Sequence, residues 1–226
     1  MIDEKIYYLR TERTGSTFLI NIFYDIFGRR NVKYFVGSKV RSLNVINAIS
    51  IRDFRDSIVS FIRYWRLSGS FNSKLSYKIK TSNNRDDLVT YDELEYFLEK
   101  TDYINEQLEK LKQVKSNKLL KKNELMIFKY EKWYYNYDVI FNKLEKYFNV
   151  NIDKQLRNEI TEKYSYENIK TLDQRKYYSA VKEEPYKVGL VNYSRSGDWK
   201  LMVPEDLQEY LNDKLKDHLL LWGYKI

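Results

Sequence analysis

The sequence has 226 residues, none of which is cysteine, and its one histidine is His218. Without cysteine there is no disulfide, no thiolate metal ligand and no cysteine nucleophile. One histidine near the end of the sequence also argues against a Ser-His catalytic pair. These absences disfavour triad hydrolases and zinc enzymes.

Long apolar runs are missing as well. No uncharged apolar stretch approaches the roughly 20 residues that a membrane helix needs. The first ten residues, MIDEKIYYLR, are charged where a signal peptide is apolar. We therefore expect a soluble, cytoplasmic protein without a membrane span.

Positive charge and aromatic side chains are abundant. The chain carries 40 Lys and Arg against 32 Asp and Glu, a formal net charge of +8, and 16% of its residues are aromatic. Hydrophobic residues make up 43% of the chain, enough to form a core. The charge indicates either an anionic partner, such as nucleic acid, a membrane surface, a nucleotide or a sulfated ligand, or a solvated lysine-rich surface.

Short apolar strand patterns alternate with helical patterns along the chain. Strands are predicted at Lys5–Leu9, Val32–Val36, Val45–Ile51 and Glu124–Phe128. The alternation predicts an α/β fold of three layers, in which helices flank a central parallel sheet. Polar residues 68–87 look like a surface excursion or lid, and 165–196 like loop. With no clear boundary, we expect one domain over residues 1–226.

The first strand runs into the polar loop Arg13-Thr14-Gly15-Ser16-Thr17, which opens a helix. Backbone N–H groups and the positive end of the helix dipole favour an anion at such a place. Glycine permits close approach of the main chain, and Arg13 adds a permanent charge. A phosphate or sulfate would fit this P-loop-like turn. The other interpretation is a helix-capping turn with a surface arginine.

A second junction of the same kind follows the third strand. Arg52 comes directly after the buried strand, Asp53 can cap the next helix, and Ser60 lies two turns into that helix. Arginine with a hydroxyl suits a terminal phosphate. Because the helix dipole disfavours a cation at this end, Arg52 indicates an anion nearby.

The two junctions resemble the signatures of sulfotransferases that use 3′-phosphoadenosine-5′-phosphosulfate (PAPS). The family's P-K/R-S-G-T-T-W is similar to residues 12–18, with Glu12 in place of proline. Its R-N-P-x-D-x-x-x-S is similar to residues 52–60, which keep the arginine, the aspartate and the serine but not the Asn-Pro pair.

Further signatures follow in the family's order. Y-E-D is matched by residues 130–132, S-F-x-x-M-K by 165–170, and the closing L-x-x-L-G-Y by 219–224. The family's R-K-G-x-x-G-D-W-K is partly matched by residues 194–200. Here Arg195 stands two residues before Gly197, and this one glycine stands where the family has two. The resemblance covers nearly the whole chain.

The resemblance implies a role for each matched residue. Residues Thr14, Gly15, Ser16 and Thr17 would hold the 5′-phosphosulfate, and Arg13 would be the catalytic cation that neutralises the leaving oxygen. Arg52 and Ser60 would bind the 3′-phosphate of the nucleotide. The aromatic residues at positions that enclose adenine are Phe18, Tyr130 and Tyr166, for which ordinary core packing is the other interpretation. A further contribution to the 3′-phosphate site would come from Arg195, Ser196 and Gly197, although a salt bridge suits Arg195 equally well.

The general base of the family has no counterpart between residues 14 and 50. Carboxylates of the lid region, Asp86, Asp87, Asp92 and Glu93, are candidates, but a solvated or helix-capping role suits them better. A lone histidine in the last helix, His218, is more typical of packing or surface positions.

The sequence thus predicts an enzyme that moves a sulfuryl group from PAPS to a hydroxyl or amine of a small-molecule or glycan acceptor. The product would be 3′,5′-adenosine bisphosphate (PAP), and neither a metal nor nucleic acid is expected to take part. Two alternatives stay open. One is a P-loop kinase-like phosphotransferase, which lacks the P-loop lysine here; the other is a non-enzymatic module that binds RNA or a polyanion.

Overall fold

The computed structural model describes residues 4–11, 13–36, 46–68, 87–116, 125–165, 168 and 196–226. Its strands are β1 (Ile6–Arg10), β2 (Val32–Val36), β3 (Ala48–Ile51) and β4 (Met126–Lys129). They form one parallel sheet in the order β2-β1-β3-β4. The prediction of a central parallel sheet flanked by helices is confirmed.

The helices follow the strands in the alternation that the sequence predicts. In chain order they are α1 (Ser16–Phe27), α2 (Phe54–Ser68), α3 (Tyr91–Glu95), α4 (Asp102–Ser116), α5 (Tyr130–Trp133), α6 (Asp138–Phe148), α7 (Lys154–Lys163), α8 (Trp199–Met202) and α9 (Glu205–Trp222). A 3-10 turn, Arg29–Asn31, precedes β2, and a π turn, Tyr96–Lys100, extends α3.

Element boundaries differ from the predictions by a few residues. The third strand occupies Ala48–Ile51 instead of 45–51, and Asn47 before it uses its side chain to bond the main chain of β1, accepting from Tyr7 N at 2.9 Å. The helix that begins at Tyr91 changes to a π turn at Tyr96. Of the predicted surface excursion or lid at 68–87, residues 69–86 lie outside the described residues.

The chain divides into two compact units, Met1–Ile51 with Gln113–Val191, and Arg52–Lys112 with Asn192–Ile226. The first unit contains the sheet. Its core joins β1, β4 and α1: the ring of Phe23 lies edge-on to Tyr8, with centroids 5.6 Å apart, and 5.5 Å from Phe128. Helix α1 forms because its buried apolar residues recur at helical spacing and face this core.

The second unit is built from helices. Helix α2 buries Ile58, Phe61 and Ile62, whose spacing of three and four residues puts them on one face. The ring of Phe61 lies 6.1 Å from that of Phe97 in the π turn. At the C-terminal end, α9 begins after Pro204, which fits the preference of proline for a helix start.

Within the described part of the chain, no helix combines the length and apolarity needed to cross a membrane. The same residues contain no group of three or more His, Cys, Asp and Glu side chains placed to hold a metal ion.

Candidate functional site

The order of the strands places a switch point between β1 and β3. These two strands are neighbours, but the chain leaves β1 for β2 on one side of the sheet and leaves β3 for β4 on the other. Ligands of open α/β sheets bind outside the carboxyl ends of the strands at such a point. The Arg13–Thr17 loop follows β1 and Arg52 follows β3, so both predicted junctions start at this edge of the sheet.

The loop after β1 is shaped by two residues in the left-handed region of backbone space. Arg13 has φ 58° and Gly15 has φ 72°. Gly15 is the N-cap residue of α1, and no side chain caps this helix. The helix start therefore resembles an anion-binding turn more closely than a side-chain-capped turn.

Only glycine fits at position 15. A Cβ atom there would lie 2.7 Å from ring carbons of both Trp133 and Tyr130, the residues that bound α5. Both aromatic side chains are buried, and their ring centroids are 5.2 Å apart at a nearly perpendicular angle. The loop thus packs directly against the rings of Tyr130 and Trp133, in the helix that follows β4.

A cluster of hydroxyl groups holds the loop to the sheet. The Thr14 Oγ1 atom lies 2.5 Å from Ser50 Oγ in β3 and donates to the Thr11 carbonyl at 2.8 Å. Ser16 also donates to the Thr11 carbonyl, and Thr11 Oγ1 donates to the Ser50 carbonyl at 2.6 Å. The Tyr8 hydroxyl shares a hydrogen bond with Ser50, and burial raises the pKa of Tyr8 to about 12.

This cluster decides where the loop's hydroxyls point. The side chains of Thr14 and Ser16 are buried and bond to protein groups, whereas Arg13 and Thr17 are half-buried. The hydroxyls of Thr14 and Ser16 therefore fix the shape of the loop. The main chain of the loop and the half-buried Arg13 stay candidates for contact with an external anion.

The second junction begins with a capped helix. Asp53 Oδ1 accepts from the backbone N–H of Arg55 at 3.0 Å, as the cap prediction required. The same carboxylate binds the Arg55 guanidinium, with Nη2 2.6 Å from Oδ2. Arg55 in turn lies over the Trp199 ring, 4.1 Å from its centroid.

Arg52 is 3% exposed and lies next to a carboxylate of its own chain. Its Nη2 atom is 3.9 Å from Asp56 Oδ2. This aspartate supplies an anion at the helix start, which accounts for a cation where the dipole disfavours one. Burial raises the pKa of the Asp56 carboxyl above its ordinary value, and the nearby Arg52 opposes that rise.

Asp56 also binds the turn before α8. Its two oxygens accept from the backbone N–H groups of Gly197 at 2.8 Å and Trp199 at 3.0 Å. Asp56 thereby contacts both Gly197 and Arg52, two of the residues predicted to share a phosphate site. Ser60 is half-buried on α2, Ser196 is exposed, and Arg195 lies outside the described residues.

The predicted adenine-binding aromatics are placed unequally. Phe18 is half-buried against the core of the first unit, and Tyr130 is 2% exposed and stacked on Tyr134 with ring centroids 4.7 Å apart. Tyr166 lies outside the described residues.

Three of the four candidate carboxylates, Asp87, Asp92 and Glu93, have the solvated or helix-capping placement that the sequence favoured for them. Glu93 is fully buried, with both oxygens on Arg66 at 2.9 and 2.6 Å, and it forms a capping box with Thr90. Asp87 and Asp92 are exposed, and Asp86 lies outside the described residues. His218 is buried with its ring 4.9 Å from that of Phe54, a packing position.

Three residues of these junctions had no role predicted for them from the sequence. Ser50 is the one polar residue in an apolar strand, which is a weak signal of a buried hydrogen bond. Asp56 stands four residues after Arg52, a spacing that predicts an ion pair on a helix. Nothing in the sequence indicates that Trp133 contacts Gly15.

The sequence matches no protein-family model and no curated protein. The structure, however, is similar to that of the mouse sulfotransferase SULT7A1 complexed with PAP, with a TM-score of 0.63. The likeness covers 100% of this chain and 90% of the mouse chain, at 11% sequence identity. The chain has a sulfotransferase-like fold.

Proposed function

We propose that the protein is a PAPS-dependent sulfotransferase. The observation that carries the proposal is the position of the loop around Gly15 at the switch point of the sheet. The structure of the chain as a whole is similar to that of a sulfotransferase that was crystallised with PAP. The order of the signature-like segments along the sequence supports the same function.

The reaction would be a displacement at sulfur. An acceptor hydroxyl or amine attacks the sulfur atom, the bond from sulfur to the bridging phosphate oxygen breaks, and PAP leaves with the electron pair. The acceptor's proton passes to a base or to water. The chain's contribution would be to position the donor and to stabilise charge on the leaving phosphate.

In this proposal the loop's main chain from Thr14 to Thr17 binds the 5′-phosphosulfate and Arg13 neutralises the leaving oxygen. Arg52 and Ser60 bind the 3′-phosphate. The left-handed backbone conformations of Arg13 and Gly15 support the first assignment, because such residues in a turn direct nearby backbone N–H groups toward an anion. The acceptor is a small molecule or glycan.

Thermal unfolding with added ligands tests the proposal. A ligand that binds the folded state at 100 times its Kd stabilises it by about 2.7 kcal/mol, which raises the melting temperature of a chain of this size by roughly 5–10 °C. We expect this rise with PAP, a smaller one with AMP, and none with single-stranded RNA at moderate salt. Equal shifts with PAP and AMP, or a shift with RNA alone, would contradict the proposal.

A further inference from the structure

The face of α2 that carries Ser60 also carries the residues that hold the turn before α8. Asp56, Ser60 and Arg63 are spaced four and three residues apart, so their side chains lie on one helical face. Asp56 binds the backbone of this turn at Gly197 and Trp199. Arg63 Nη1 binds Asp198 Oδ2 at 3.0 Å. The turn is therefore anchored on both sides of Ser60.

Asp56 makes the central contacts of this arrangement. Its side chain is completely buried, and one oxygen, Oδ2, lies 2.8 Å from the Gly197 nitrogen and 3.9 Å from Arg52 Nη2. The other oxygen accepts from Trp199 N at 3.0 Å. One carboxylate thus lies beside the Arg52 guanidinium and holds the main chain at Gly197 and Trp199.

Gly197 has φ 87°, and among the described residues no heavy atom lies within 4 Å of a Cβ atom built on it. Ser196, its neighbour, is exposed. A turn whose main chain is held by a buried carboxylate, and which begins at an exposed residue, is suited to present its backbone to a ligand.

We propose that Asp56 is the positioning residue for recognition of the nucleotide's 3′-phosphate, holding Arg52 and the turn at Gly197 in the arrangement that selects it. The inference rests on the proposed function and deepens it. Asp56 touches no reacting atom, and its effect should fall on the preference for a nucleotide that bears the 3′-phosphate.

The test compares PAP with AMP, which lacks the 3′-phosphate, by calorimetric titration of the full chain and of Asp56→Asn. The amide keeps the size of the side chain but turns one acceptor into a donor that faces a backbone N–H. We expect the ratio of AMP Kd to PAP Kd to fall by about tenfold, the scale of one charge-assisted hydrogen bond. AMP affinity itself should change little.

Glu93→Gln is the matched control. It also replaces a buried carboxylate of the second unit by an amide, but it breaks the pair with Arg66 and leaves the turn untouched. The AMP to PAP ratio should equal that of the wild type. Gly197→Ala is a second test variant, because it changes the turn's backbone at positive φ without changing any charge, and the ratio should fall here also.

Two results would overturn the inference. If Asp56→Asn weakens PAP and AMP equally, the residue merely supports folding. If the ratio rises, the carboxylate competes with the phosphate instead of placing its partners. Should Asp56→Asn fail to fold, the Gly197→Ala ratio decides. Failure of the wild-type chain to bind PAP is a separate outcome, which contradicts the proposed function itself.

Discussion

Thr14 Oγ1 and Ser50 Oγ lie 2.5 Å apart, joining the loop after β1 to the strand that leads into Arg52. The two residues are 36 positions apart in sequence. The Tyr8 hydroxyl also bonds to the Ser50 side chain, and the Thr11 hydroxyl donates to the Ser50 carbonyl. Ser50 therefore connects the cluster of hydroxyls to β3. The shape of the loop therefore depends on a residue outside it.

Ser50→Ala should destabilise the protein by about 2 kcal/mol, because it leaves buried hydroxyls of Tyr8 and Thr14 with fewer partners. Urea unfolding measures the loss. Ser57→Ala is the control: Ser57 is equally buried, but its hydroxyl makes one long bond, 3.4 Å to the Asp53 carbonyl. Equal losses in the two variants would show that the cluster adds nothing.

Gly15→Ala should cost about 3 kcal/mol, since alanine is strained at positive φ and its methyl group overlaps Trp133 and Tyr130. Gly197→Ala, at similar φ but with no heavy atom of the described residues within 4 Å of the new methyl, should cost only about 1 kcal/mol. The two free energies of unfolding separate the overlap from the backbone strain. If Gly15→Ala lowers the free energy of unfolding no more than Gly197→Ala does, the rings of Tyr130 and Trp133 move to accommodate the methyl group.

Arg13→Ala and Arg52→Ala should affect different steps. The first variant should lose about 100-fold or more in turnover with little change in PAP affinity, because its charge acts on the leaving group. The second should mainly weaken PAP binding, by about tenfold or more. Arg29→Ala, which removes an exposed arginine from the 3-10 turn, is the control for net charge. Wild-type turnover and affinity in both variants would refute the assignments.

His218 should make the fold sensitive to mild acid. Burial lowers the pKa of His218 to about 4, and the Lys112 ammonium acts in the same direction. Because the unfolded state takes up this proton at about pH 6.5, stability should fall as the pH decreases from about 6.5 to about 4, by up to roughly 3 kcal/mol. The raised pKa of Asp56 works in the opposite direction.

His218→Gln isolates the histidine, because glutamine cannot titrate. Urea unfolding at several pH values should show a smaller loss of stability for the variant than for the wild type over this range. Parallel losses in the two proteins would show that other groups cause the acid sensitivity.

Much of the fold could be predicted from local patterns. Val32–Val36 forms a strand with the predicted bounds, and β1 differs from its prediction by one residue at each end, because short apolar runs beside turns are a strong local signal. The cap at Asp53 was also predictable from local sequence, because an aspartate directly before a helical pattern is a common N-cap residue. The π turn at Tyr96–Lys100 was not, since its apolar spacing is also that of an ordinary helix.

The candidate site was predictable only in part. Which loop and which arginine begin at the edge of the sheet follows from local sequence. That the Thr14 and Ser16 hydroxyls face Ser50, and that Asp56 binds Gly197, depends on contacts between residues far apart in the chain, 141 positions in the second case. Such contacts have no local signal because they form only when the elements pack.

Calorimetric titration of the wild-type chain with PAP tests the central claim most directly. The account predicts binding of one PAP per chain, tighter than AMP under the same conditions, with the affinity reduced in Arg52→Ala. No detectable binding at high micromolar PAP by a folded protein would contradict it.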